Sequence, residues 1–112
     1  IMAVTSINIV IEQGVDYEKS FPITETDGSI SDLNGKTATA AIKKHPGADT
    51  SVSFTTGIST VTGIVTVSMA SSVTDTLDEG RYLYDIILTD DGTGKKEKPV
   101  TGMVIVNPSI TV

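Results

Sequence analysis

The sequence has no cysteine, no tryptophan and a single histidine, and aromatic residues fill only 4% of its 112 positions. Without cysteine there are no disulfides and no thiolate metal sites. Most small secreted domains lean on disulfides; this chain has to hold together by core burial or by assembly with partners. The lone histidine, His45, lies in a His-Pro-Gly loop with no Gly-x-Ser-x-Gly elbow elsewhere. It reads as an exposed loop residue rather than the base of a serine hydrolase. Adjacent carboxylates occur in Asp78-Glu79-Gly80 and Asp90-Asp91-Gly92, where Asp is first a turn former that bonds its own backbone. Neither the paired carboxylates of a glycosidase cleft nor the Asp-x-Asp-x-Asp spacing of a calcium loop can be read from them. Gly92-x-Gly94 is too short for a phosphate loop. No catalytic residue, no cofactor and no metal ligand is expected.

Long apolar runs are also missing, and none approaches the ~20 residues of a membrane-spanning helix. Positive charge is scarce: eight Lys and Arg face fourteen Asp and Glu, for a net charge of −6 and a pI near 4.5. An acidic surface repels phosphate backbones, so nucleic acid is not an expected partner. The one basic cluster, Lys95, Lys96 and Lys98, has no aromatic residue among it and reads as a solvated hairpin tip. No basic-then-apolar leader is visible. Ile1 stands before Met2 and is left out of the fold reading, so a single domain over residues 2–112 is expected.

What the sequence does have is Thr, Val and Ile, which suit pleated, half-buried surfaces. Its clearest segment runs from Leu77 to Pro108. There a β-branched and aromatic run, Arg81 to Thr89, is followed by Asp-Gly, a polar loop and a second run, Val100 to Asn107. That is the pattern of a long antiparallel hairpin. Upstream, Val4 to Glu12 alternates with Ile7, Ile9 and Ile11 on one face. Asp16 to Thr24 alternates with Tyr17, Phe21 and Ile23 together, and its Pro22 calls for an edge or a bulge. Lys36 to Lys44 places Ala38, Ala40 and Ile42 inward. Ser51 to Thr55 is a short strand carrying Val52 and Phe54, Gly57 to Gly63 is a loop or a hairpin, and Ile64 to Ala70 places Val65, Val67 and Met69 on one face. Turns are expected at Gln13-Gly14, Asp27-Gly28 and Asp32 to Gly35. Ser71 to Leu77 suits one helical turn with Ser71 or Ser72 as N-cap.

Seven to eight closely spaced strands without a long helix indicate an all-β, immunoglobulin-like antiparallel β-sandwich. Asp78-Glu79-Gly80-Arg81-Tyr82 has the form of the tyrosine corner of such sandwiches, with Gly80 at the bend and the Tyr82 hydroxyl bonded back to backbone near Leu77 to Glu79. The cysteines and tryptophan of true immunoglobulin domains are absent.

The order of elements resembles small virion proteins of tailed bacteriophages, notably the N-terminal sandwich module of phage baseplate upper proteins. The residues that carry the resemblance are Ile9, Gln13-Gly14 and Asp16, then Asp27-Gly28, Asp32-Leu33-Asn34-Gly35 and Ile42-Lys43-Lys44. They continue through Gly63-x-Val65-Thr66-Val67, Leu77-x-x-Gly80-x-Tyr82-x-Tyr84-Asp85-Ile86, Asp91-Gly92, Gly102-x-Val104-x-Val106 and Pro108. The order spans nearly the whole chain, though each element alone is ordinary sandwich grammar. The long C-terminal extension of baseplate proteins is missing. The resemblance implies a non-enzymatic structural protein of the virion (baseplate, tail fibre or capsid surface), assembled in the host cytoplasm. Its expected partners are other virion proteins or copies of itself, with no nucleic acid and no membrane. The rival is a carbohydrate-binding or adhesion module on a host-facing fibre, which the low aromatic content disfavours. The expected interface is the N-terminal strand at Ile7, Ile9 and Ile11, or the tail at Ile110 and Val112 beyond Pro108.

Overall fold

The computed structural model describes residues 4–45, 47, 48 and 51–110. The chain forms two sheets packed face to face. The larger is built on the closing hairpin, β8 (Gly80–Asp90) against β9 (Lys96–Asn107). Alternation along β8 sends Tyr82, Tyr84, Ile86 and Leu88 inward, where all four are buried, and leaves Arg81, Leu83, Asp85, Ile87 and Thr89 on the other face. At the hairpin tip the Asp90 carboxylate accepts the Gly92 N–H at 2.8 Å and the Thr93 N–H at 3.3 Å. Those bonds hold its carboxyl below the ordinary carboxylate pKa. β4 (Lys36–Lys43) pairs antiparallel with β8, setting Ala40 opposite Ile86 and Ile42 opposite Tyr84. The two-residue β5 (Val52–Ser53) completes that side.

The smaller sheet has the order β3 (Tyr17–Pro22), β7 (Ile64–Met69), β6 (Thr55–Ser59). Phe21, Val65, Val67 and Met69 face the larger sheet and are buried. Pro22 lies in an edge strand, where its missing N–H costs little. On the β6 side the sheets are tied together: the Phe54 N–H donates to the Ala40 carbonyl at 2.9 Å, and Thr56 Oγ1 to the Ala38 carbonyl at 2.8 Å. No helix among the described residues is long and apolar enough to cross a membrane.

The sandwich departs from the sequence expectations in three ways. Nine strands form among the described residues, rather than seven or eight. The N-terminal strand is interrupted into β1 (Thr5–Ser6) and β2 (Ile9–Glu12), and the Ser51–Thr55 segment divides at buried Phe54, where the chain passes from one sheet to the other. The pairing is not wholly antiparallel, because β1 and β2 both run parallel to β9. After Glu12 the chain crosses at Gln13-Gly14 to the opposite sheet instead of folding back on a neighbour, which leaves β9 as the partner. The helical turn α1 (Ser71–Thr74) is capped by neither serine. Its N-cap residue is Ala70, and the Asp16 carboxylate, distant in sequence, accepts the Ser71 N–H at 2.6 Å.

Candidate functional site

The gap between β1 and β2 is a built feature. Ile7 crosses directly over Gly102 of β9, so closely that a Cβ there would overlap the Ile7 carbonyl oxygen. Glycine is required by this approach, not by its torsion angles. The Ile7 N–H still donates to the Thr101 carbonyl at 2.9 Å, but the Ile7 carbonyl accepts the Tyr84 hydroxyl at 2.5 Å. The Asn8 side chain takes the vacated ladder position and accepts the Met103 N–H at 3.1 Å. Burial pushes the Tyr84 hydroxyl up to about 12, with the nearby Tyr17 hydroxyl as a smaller cause. Ile7, Asn8, Tyr84 and Gly102 thus latch the N-terminal strand to the sheet.

A second side-chain anchor lies at the expected corner. The buried Tyr82 donates its hydroxyl to the Asp78 carbonyl at 2.8 Å. Gly80 has φ +131°, a backbone conformation that side-chain-bearing residues rarely adopt. Lys44 places its ammonium 4.2 Å from the centre of the Tyr82 ring.

The side chains expected to form an interface on the N-terminal strand face the core instead. Ile9 and Ile11 are buried and Ile7 is half-buried against the same core. Parallel pairing with β9 turns the odd-numbered residues between the sheets, so these side chains are not offered to a partner. Ile110 is fully exposed, at 101%. Val112 lies outside the described residues.

The exposed apolar side chains are instead on the outer face of the larger sheet. Cross-strand registers place Val10 beside Ile105, Ile105 beside Arg81, and Met103 beside Leu83, which neighbours Lys43. Val10 is 51% and Leu83 41% exposed; Ile87, Met103 and Ile105 are half-buried. A shallow hollow of about 350 Å³ opens on this face, lined by residues that include Ala41, Lys43, Leu83, Asp85 and Lys98. Lys98 pairs with Asp85 at 3.3 Å, and Thr101 Oγ1 donates to the Tyr84 carbonyl at 3.3 Å. Asp85, Lys98 and Thr101 are therefore engaged within the hollow. Lys43, Arg81 and Lys98 surround the apolar centre. Seven of the eight Lys and Arg side chains lie in the larger sheet and its connections, three of them, Lys43, Arg81 and Lys98, on this face.

The sequence reading passed over Val10, Leu83, Met103 and Ile105 as a group. The available signal was the run Arg81 to Thr89, which carries Leu83 and Ile87 on the face opposite Tyr82, Tyr84, Ile86 and Leu88. No group of three or more His, Asp or Glu placed to hold a metal ion occurs among the described residues, and His45 is exposed. No protein-family model matches this sequence, and no curated protein matches it.

Proposed function

We propose that this chain is a non-enzymatic structural protein of a tailed-phage virion that acts by docking, through the outer face of its larger sheet, onto a neighbouring virion subunit. The observation that carries this reading is the apolar centre at Val10, Leu83, Met103 and Ile105 on a sheet whose inner face already supplies the core. Apolar side chains beyond those a two-layer core needs favour a protein interface. The surrounding Lys43, Arg81 and Lys98 favour a partner with an acidic rim. The resemblance to baseplate sandwich modules supplies the virion setting, and the assembled particle is then the place of action.

An immunoglobulin-like topology belongs to the same proposal. Its support is the order of the sheets. β3-β7-β6 would correspond to strands B, E and D, and β9-β8-β4-β5 to G, F, C and C′. The Tyr82 corner would then stand at the start of strand F. The rival reading, sugar binding by an aromatic platform, draws less support, since Tyr82 and Tyr84 are buried and Tyr17 is half-buried.

The test is mass spectrometry of purified particles made with the wild-type chain and with a Leu83→Lys/Ile105→Lys variant. The wild type should be present in the particle and the variant depleted while remaining folded. Absence of the wild type from particles, or equal incorporation of both, would reject the reading; selective binding to a glycan array would favour the rival.

A further inference from the structure

The two sheets expose four strand edges, and three of them are protected against pairing. β3 carries Glu18, Lys19 and Pro22, and charge and proline are the usual guards of an exposed edge. β5 is two residues long. β6 lies on the side where Phe54 and Thr56 bond to β4. The fourth edge, along β1 and β2, is short at β1 and interrupted between the two strands, but it carries no proline and no charge before Glu12. From Val4 to Glu12 it is Val-Thr-Ser-Ile-Asn-Ile-Val-Ile-Glu, β-branched almost throughout, with one charge at its far end. Among the described residues no strand pairs with its outer side.

The ladder shows what that edge offers. Ile7 and Gln13 direct their N–H groups to Thr101 and Asn107 of β9, at 2.9 and 3.0 Å. Strand alternation then turns the N–H and C=O groups of Asn8 and Val10, and the N–H of Glu12, away from β9 towards the open side, while the Glu12 carbonyl accepts the Val15 N–H at 3.4 Å. A strand laid there would bond to this row and cover part of Val10.

We propose that two copies of this chain pair through the outer edges of β1 and β2, antiparallel across a twofold axis, joining their larger sheets into one. The incoming strand lies beside Asn8 and Val10 and must carry no charge at its centre, and the chain's own N-terminal strand, uncharged from Val4 to Ile11, meets that requirement. Antiparallel self-pairing also sends the two Glu12 carboxylates to opposite ends of the seam, whereas parallel pairing would set them side by side. The pairing is isologous, as a closed dimer requires. It joins the two apolar outer faces into a continuous surface with Val10 at the seam. This inference rests on the comparison of edges and stands apart from the virion setting.

Sedimentation and light scattering of the full chain against concentration test it, with Val10→Pro as the variant. Proline removes an N–H that points outward, so the bonds to β9 remain and only the seam is blocked. The wild type should sediment as a dimer and Val10→Pro as a folded monomer. Amide exchange gives a readout that needs no variant: the Val10 and Glu12 N–H groups should slow as concentration rises into the dimer range. A wild type that stays monomeric at every concentration overturns the proposal. So does a folded Val10→Pro dimer, or free exchange at Val10 in a sample that is dimeric. Loss of the dimer in Leu83→Lys, with Val10→Pro unaffected, would place the contact on the sheet face and equally overturn it.

Discussion

The two outer faces of the sandwich show how differently one chain treats two surfaces of the same geometry. On the smaller sheet the outward residues are Glu18, Ser20 and Pro22 from β3, Ile64, Thr66 and Ser68 from β7, and Thr55, Gly57 and Ser59 from β6, with the half-buried Ile64 the one large aliphatic side chain among them. Two of their hydroxyls bond to each other, Ser20 Oγ and Thr66 Oγ1 at 3.0 Å. On the larger sheet the outward positions include Val10, Leu83, Ile87, Met103 and Ile105, interspersed with Lys43, Arg81, Asp85 and Thr101. A two-layer fold needs one apolar face per sheet, and the smaller sheet shows that hydroxyls suffice on the other. The second apolar face is therefore surplus to folding. The larger sheet also carries the latch at Ile7 and the corner at Tyr82, so it is both the better-tied half and the half with surface to spare.

The strongest way to break this contrast is a pair of glycine substitutions. Gly102→Ala forces a methyl into the Ile7 carbonyl, which is held by Tyr84 and cannot simply retreat. It should cost about 3 kcal/mol, the upper range for overpacking, read as a lower urea midpoint. Gly57→Ala, on β6 of the smaller sheet, places its methyl in open space and should be neutral or slightly stabilising in the same measurement. Next in size is Tyr82→Phe, which keeps the ring and leaves the Asp78 carbonyl without its donor. It should cost about 1 kcal/mol in the urea titration.

Alkaline titration sharpens the contrast further. Tyrosine titrates near 10.0 when unperturbed, and Tyr84 near 12 in the fold. The unfolded chain releases this proton first, so the stability Tyr84 brings is fully present below pH 10. It is lost as pH rises towards 12. In Tyr84→Phe the melting temperature should fall less between those pH values, after allowance for the lost Ile7 bond. Tyr17, on the smaller sheet, is raised by burial to a lesser degree, and Tyr17→Phe should flatten the profile less. The smallest stability effects belong to the outer faces. Leu83→Lys and Thr66→Lys should each change stability by no more than about 0.5 kcal/mol, yet only the first should impair particle incorporation.

Much of this fold is legible in the sequence where the signal is local. The alternation in Tyr82 to Leu88 and in Val65 to Met69 places the right side chains inward, and Gly80-x-Tyr82 gives the corner. The hidden parts depend on partners far along the chain. Nothing in Val4 to Glu12 says that its neighbour is β9 or that the two run parallel, and this is why Ile9 and Ile11 read as an interface when they belong to the core. The cap of α1 comes from Asp16, not from the adjacent serines whose propensity suggests them. Phe54 looks like part of one strand because a change of sheet leaves no mark on the alternation. The candidate docking face was legible in principle, since Leu83 and Ile87 interrupt the expected polar side of β8, but its extent depends on Met103, Ile105 and Val10 being brought alongside.

Because β1 and β2 run parallel to β9, the chain enters and leaves the sandwich at opposite ends of one shared ladder. At about 3.3 Å per residue the stretch from Thr5 to Glu12 separates those points by roughly 23 Å. Tension applied between them acts along the strands, while the ladder bonds lie across that direction, so the bonds are strained together in shear. An antiparallel terminal pair would put both points at one end and open like a zipper, one bond after another. Pulled from its ends, this sandwich resists as a clamp, and the Tyr84 hydroxyl on Ile7 lies in the middle of the loaded seam.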